Sequence, residues 1–507
     1  MCFEVKERDL GGRIGTLRTR RGVLETPTLM PVVNPVKNTI RPAELKDEFG
    51  FDLIITNAYI ILKHYGKGAG DVHEITGFDG TIMTDSGAYQ LLIYGGIDTT
   101  PEEIVRFQER IRSDIGVILD VPTGGFATKQ EAEQTVKETI RRARESISWR
   151  EDDTMLWAGP VQGGRYLDLL EFCARAMGEL DFHIHPLGSP TQIMEEYDYA
   201  TLVDMIVTAK RALPPERPLH LFGAGHPMML SLAVALGCDL FDSAAYALFA
   251  KDGRYMTQSG TMRVDELEEL PCSCPICAKR DAEDFAEVSK EEREGLLARH
   301  NLYVVVEELR SIRESIREGT LWEHVETRCR THPKLYGGLK RLLDYREYLE
   351  RNDPLVNRVV RGLFFYDEVS MCRPEVYRYK ERIASRYSRP KGKDILLLVP
   401  MPEEKPFTKS KICKSVKDLF KDREDVHVCF YGDPFGVVPS ELSETFPLSQ
   451  FESAIGLGKA WRESAEAFIA TKGYKEVFVL GQEIKGAKTI NSLEELKRLL
   501  DPLGSRR

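Results

Sequence analysis

Thr81-Ile82-Met83-Thr84-Asp85-Ser86-Gly87 is a short β-forming run that stops at an aspartate, a serine and a glycine, and Leu240-Phe241-Asp242-Ser243-Ala244 repeats the arrangement. Working outward, eight such runs occupy 28–34, 51–57, 81–85, 117–122, 156–162, 182–188, 219–225 and 240–243, each ending in polar or glycine-rich residues. Most are separated by stretches with helical period, such as 101–114, 130–149 and 166–180. Eightfold alternation of strand and helix points to an α/β TIM (β/α)8 barrel, closed and parallel, rather than an open doubly wound sheet. In that fold the carboxyl ends of the strands carry the chemistry.

The 507 residues, 42% of them hydrophobic, can bury a large core and divide into several domains. No apolar run approaches the roughly 18 residues that cross a bilayer, and Met1-Cys2-Phe3-Glu4-Val5-Lys6 lacks the basic-then-apolar order of a secretory signal. A cytoplasmic protein with no membrane partner is expected. The net charge of −10 argues against polyanion binding by the molecule as a whole. Residues 328–341 run against that balance: Arg328, Arg330, Lys334, Lys340 and Arg341 occur there with no acid among them. Such a run is either a solvated helix face or a local patch for a polyanion.

Ten cysteines without a secretory signal do not make a disulfide scaffold. Three of them form a knuckle, Cys272-Ser273-Cys274-Pro275-Ile276-Cys277, and His300 follows on a helical stretch, 290–309, nearer than His324 or His332. Three thiolates and one imidazole fill a tetrahedral zinc shell and leave no open position, so one structural Zn2+ per chain is expected.

Aligning the strand ends brings Asp85, Ser86 and Gln90, then Asp120, Gln162-Gly163-Gly164, Leu187-Gly188-Ser189, Phe222-Gly223 and Asp242 to one mouth. Carboxylates and an amide suit the donor-rich edge of a heterocycle, glycines admit the backbone, and an aromatic stacks on the face. Taken singly, each aspartate reads as a helix cap. There is no phosphate-cradling lysine loop and no serine-nucleophile elbow. Two carboxylates facing one pocket are the minimum apparatus for cleaving a glycosidic bond through a covalent intermediate.

Asp85-Ser86-Gly87-Ala88-Tyr89-Gln90, Val161-Gln162-Gly163-Gly164, Leu240 to Ala244 and the cysteine knuckle with His300 resemble, in their order along the chain, the motifs of the tRNA-guanine transglycosylases. The phrase Phe241-Asp242-Ser243-Ala244-Ala245-Tyr246-Ala247-Leu248 and the long carboxyl-terminal extension are similar to the archaeal, archaeosine-forming branch. The resemblance covers about residues 1–345. It implies a zinc-bearing TIM barrel that exchanges guanine 15 in the tRNA D-loop for preQ0, 7-cyano-7-deazaguanine, by double displacement through a covalent Asp–ribose intermediate. Carried over residue by residue, it implies Asp242 as nucleophile and Asp85 as general acid and base. Asp120 and Gln162 would read the base edge beside the Gly188 backbone, with Ser86 in the same substrate-binding set and Phe222 and Tyr89 as stacking faces. It also implies tRNA and preQ0 as partners and a homodimer. Ala88, Tyr89 and His185-Pro186-Leu187-Gly188-Ser189 depart from the bacterial pattern, which makes the bacterial substrate preQ1 the poorer fit.

Three domains are expected: a zinc-containing catalytic barrel over 1–345, a mixed helical extension over 346–390, and a small α/β domain over 391–507. The last rests on strand-like runs at 394–401, 426–431 and 476–481 with helical stretches at 415–420, 458–471 and 492–500. No PUA domain is recognised, so a separate PUA-domain polypeptide supplies that grip on tRNA or binding does without it. Three alternative functions retain some of the same features. A non-catalytic accessory paralogue, or an amidine-forming relative, would not need both Asp85 and Asp242; a DNA-acting transglycosylase would keep every catalytic residue.

Overall fold

The computed structural model describes residues 2–88, 98–356, 359–455 and 458–500. Tyr89 and Gln90, expected at the mouth, lie outside the described residues. The chain divides into two compact units, Met1–Leu342 with Asn352–Val359, and Leu343–Arg351 with Val360–Arg507.

The first unit opens with an antiparallel sheet of β1 (Phe3–Asp9), β2 (Gly12–Thr19) and β3 (Gly22–Thr26). Eight parallel strands follow: β4 (Thr28–Pro31), β5 (Leu53–Asn57), β6 (Thr81–Asp85), β7 (Ile115–Val117), β8 (Leu156–Ala158), β9 (His185–Leu187), β10 (Leu219–Leu221) and β11 (Leu240–Ser243). They form two four-stranded sheets, ordered β5-β6-β7-β8 and β4-β11-β10-β9. Isolated parallel bridges join the sheet edges, Val32 to Ile55 on one side, Ala158 to Ile184 and Val161 to Leu187 on the other. Both faces of these strands are covered, which is why they read as unbroken apolar runs. Met30, Ile55, Met83, Ile115, Val117, Ala158, Ile184 and Leu240, from both sheets, pack into one core that Phe3, Leu17 and Leu24 of the antiparallel sheet close.

Local chemistry starts the intervening helices. Asn57 caps Ala58–Tyr65, Thr100 caps Pro101–Arg110 with proline in the first turn, and Thr128 with Glu131 makes a reciprocal capping box for Lys129–Trp149. Past β11 come the helix Ala245–Lys251 and the hairpin β12 (Arg254–Thr257) and β13 (Gly260–Arg263), then the cysteine segment and the 29-residue helix Lys290–Glu318.

In the second unit, β14 (Leu363–Phe365) pairs in parallel with β18 (Phe451–Ser453). A five-stranded sheet runs β17-β16-β15-β19-β20, built from β15 (Ile395–Pro400), β16 (Val426–Gly432), β17 (Gly436–Pro439), β19 (Glu476–Leu480) and β20 (Lys488–Ile490). Only β17 runs antiparallel to its neighbour. Separate cores lie on the two faces of this sheet, one including Leu397, Phe430 and Leu496, the other Leu396, Trp461 and Phe468. It is a small α/β domain.

Candidate active site and metal centre

The expected mouth residues sit at the carboxyl ends of parallel strands. Asp85 ends β6, Asp242 lies within β11, Gly188 and Phe222 directly follow β9 and β10, and Asp120 and Gln162 lie in the turns after β7 and β8. Several strands are shorter than their sequence reading: 156–162, 182–188 and 219–225 reduce to Leu156–Ala158, His185–Leu187 and Leu219–Leu221. The run at 117–122 was expected to be extended, but pairing stops at Val117, and Asp120 donates its backbone amide to Ile118 O in a tight turn.

Asp85 pairs in register with Asn57 of β5. Asn57 Nδ2 donates to Asp85 Oδ2 at 2.8 Å, and the Gly87 amide donates to the same oxygen at 3.3 Å. Burial, with the charges of Asp120 and Asp242 adding to it, pushes the Asp85 carboxyl up to about 7. An acid that titrates there can both give and take a proton at neutral pH. Gly87 has φ +94°, and a Cβ at that position would fall 2.6 Å from Tyr59 Cβ, so only glycine fits. Ser86 is buried, and its hydroxyl meets no partner among the described residues.

Asp120 and Gln162 form one unit. Gln162 Nε2 donates to Asp120 Oδ2 at 2.6 Å, while Gln162 Oε1 accepts from the Thr123 amide at 3.0 Å and the Ser189 hydroxyl at 2.9 Å. Both side chains are buried, and burial pushes Asp120 up to about 6 against the opposing pull of the Gln162 donor. A primary amide locked in this way presents a fixed edge to a planar ligand.

Asp242 accepts two hydrogen bonds on one oxygen, from His220 Nε2 at 2.8 Å and the Gly223 amide at 2.9 Å, both to Oδ1. No donor among the described residues meets Oδ2. Phe222 stands edge-on to His220, with centroids 4.7 Å apart at 70°. Sequence reasoning did not single out Asn57 or His220. A signal existed for each: Asn57 closes the run before Asp85, and His220 is a lone polar residue between Leu219 and Leu221.

The basic run 328–341 is largely committed to internal ion pairs. Arg328 pairs with Glu308 at 2.7 Å, Arg330 with Glu326 at 3.3 Å and Arg341 with Asp204 at 2.7 Å.

Cys272, Cys274, Cys277 and His300 converge, with all four ligand atoms within 4.8 Å of one another. Cys274 Sγ lies 3.6 Å from Cys277 Sγ and 3.6 Å from His300 Nδ1, and Cys277 Sγ lies 3.3 Å from Nδ1. The edges of a tetrahedron with bonds of about 2.0–2.3 Å are about 3.5–3.8 Å, so the set fits one metal ion. His300 Nε2 donates to Met256 O at 2.8 Å, which leaves Nδ1 as the ligand nitrogen. Tyr255 stacks on the His300 ring at 3.6 Å and meets Cys277 Sγ through its hydroxyl. The neighbouring Asn301 ties this corner to the helix after Asp242: it accepts from the Met256 amide and donates to Tyr246 O.

These features define a class: an α/β enzyme with aspartates at the carboxyl ends of its parallel strands and a four-ligand cluster that could hold a metal ion. The family model described as queuine tRNA-ribosyltransferase matches residues 9–334, and a domain of unknown function, DUF5591, matches residues 376–482. The tRNA-guanine(15) transglycosylase of Methanosarcina mazei is 46% identical over 458 residues, covering 88% of this chain and 86% of its own length. Those of Sulfolobus acidocaldarius and Methanococcus aeolicus are 41% and 43% identical, covering 95% and 89% of this chain and 95% and 69% of themselves. The chain belongs to the tRNA-guanine transglycosylase family.

Proposed function

We propose that this protein is a tRNA-guanine(15) transglycosylase, a pentosyltransferase that replaces guanine in the tRNA D-loop with preQ0. The observation that carries the chemistry is that Asp85 and Asp242, on β6 and β11, and Asp120, in the turn after β7, lie closely enough for the charges of the other two to act on Asp85. The two parallel sheets, bridged at both edges, support reading the first unit as one closed (β/α)8 barrel with the pocket at its carboxyl mouth.

The steps follow from the side chains. A carboxylate oxygen of Asp242 forms a bond to ribose C1′ as the C1′–N9 bond breaks. The electron pair leaves on N9 of guanine, where the Asp85 proton neutralises it. Guanine departs and preQ0 enters. Asp85, now ionised, takes the N9 proton of preQ0, whose nitrogen displaces the ester oxygen and restores the Asp242 carboxylate. Asp120 and the Gln162 amide, with the Gly188 backbone beside them, hold the edge of either base, and Phe222 covers a face.

The four-ligand cluster takes zinc through Cys272, Cys274, Cys277 and His300. With no open position the ion acts on the fold alone. Among the described residues no helix is long and apolar enough to cross a membrane, and the enzyme acts on cytoplasmic tRNA as a homodimer. A PUA-domain polypeptide in trans is the remaining candidate partner. The test is trapping: with guanine removed, the wild type should form a tRNA adduct that survives denaturing electrophoresis, and Asp242→Asn should form none while binding tRNA normally. A duplex DNA substrate that outcompetes tRNA would instead favour the DNA-acting alternative.

A further inference from the structure

His220 is held in β10 with its ring completely enclosed, 0% exposed, and with Nε2 2.8 Å from Asp242 Oδ1. A carboxylate only accepts, so the hydrogen in this bond is on Nε2. Nδ1 is buried and meets no partner among the described residues. The Nε2–H tautomer is the one that leaves no buried donor stranded. A polar ring in the middle of an apolar strand is costly to bury, and among the described residues this ring makes one polar contact, to Asp242. The Gly223 amide reaches the same oxygen. Asp242 is 13% exposed, and Oδ2 is the oxygen without a described donor.

We infer that His220 is a positioning residue for the transfer: with the Gly223 amide it fixes Oδ1, sets the plane of the carboxylate, and makes Oδ2 the atom that attacks C1′. The inference rests on the base-exchange reading above. When Oδ2 bonds to C1′ and the guanine N9 departs with its electron pair, Oδ1 becomes the carbonyl oxygen of the ester, facing the same two donors. They therefore serve both displacements without occupying the attacking lone pair. The edge contact with Phe222 limits rotation of the ring.

His220→Gln places an amide N–H near the Nε2 position, whereas His220→Asn is equally polar but too short to reach, and His220→Leu removes the donor. Each is compared with wild type in single-turnover adduct formation, tRNA affinity and thermal unfolding. His220→Leu and His220→Asn should slow adduct formation by about tenfold to a hundredfold, the scale of one hydrogen bond to a charge, with tRNA Kd unchanged. His220→Gln should restore most of the rate. Should His220→Leu fail to fold, the Gln and Asn pair decides the matter. Wild-type rates in His220→Asn, or equal losses in Gln and Asn, would overturn the role assigned to His220. A wild type that forms no adduct would instead overturn the base-exchange reading.

Discussion

Replacing Gly188 by alanine should disable Asp120 without altering it. A Cβ at Gly188 would fall 2.2 Å from Gln162 Nε2, 2.6 Å from its Cδ and 2.9 Å from its Oε1. The Gly188 amide is pinned to Val161 O at 2.9 Å, so the glutamine is the partner that gives way. Its three hydrogen bonds, to Asp120, Thr123 and Ser189, are then lost together. A hydrogen bond to a buried charge contributes about 1.5–3 kcal/mol, and about 1.4 kcal/mol is tenfold. The kcat/KM for guanine exchange should therefore fall about tenfold to a hundredfold. The direction with pH follows as well. The Gln162 donor holds Asp120 down to about 6 against burial; without it the carboxyl titrates higher, more of it is neutral at pH 7, and the acid limb of the profile moves upward. Labelled-guanine exchange into tRNA between about pH 5.5 and 9 measures this. If Gly188 acts through Gln162, Gly188→Ala combined with Gln162→Ala should be no worse than Gln162→Ala alone. Full activity with an unmoved acid limb, or additive losses, would refute the reasoning.

With Asp85 titrating near 7, kcat/KM should decline above about pH 7 as the acid loses its proton. Asp85→Asn should slow adduct formation by about 10²–10⁴-fold and abolish that limb; a limb that persists belongs to another group. The same raised carboxyl favours the folded state fully below its unfolded pKa near 4 and loses that advantage as pH rises through about 7, so Asp85→Asn should flatten the dependence of Tm on pH across that window. Asp120→Asn should reduce guanine exchange far more than tRNA binding, and equal losses would make Asp120 merely structural. Metal analysis of reduced protein should find one zinc per chain, with Cys277→Ser losing it and lowering Tm; metal-free wild-type protein of unchanged stability would count against the site.

What could be read from the sequence was whatever depends on neighbours along the chain. β6 and β11 were bounded to the residue because Asp85-Ser86 and Ser243-Ala244 interrupt their apolar runs. The thiolate knuckle carries its geometry in its spacing, and one histidine on the helix Lys290–Glu318 completes it. The strand around Val117 was misjudged because apolar residues continue through Leu119 after pairing has stopped, and hydropathy does not record where a neighbour's edge ends. The β1–β3 sheet was not anticipated: Glu4, Lys6 and Arg8 in β1 and Arg13 and Arg18 in β2 mask its apolar positions. Asn57 and His220 escaped notice for a third reason. Each matters through an aspartate on the adjacent strand, Asn57 to Asp85 and His220 to Asp242, and that adjacency exists only once the sheet is formed.

Three carboxyl groups crowded into one cleft also set a rule of admission. Burial first, and then the charges of Asp120 and Asp242, already raise the Asp85 carboxyl. A free mononucleotide would bring a phosphate dianion into the same space, where like charges at low dielectric repel strongly. An uncharged purine or deazapurine brings only donors and acceptors. The cleft as proposed would therefore favour a free base over its phosphorylated forms.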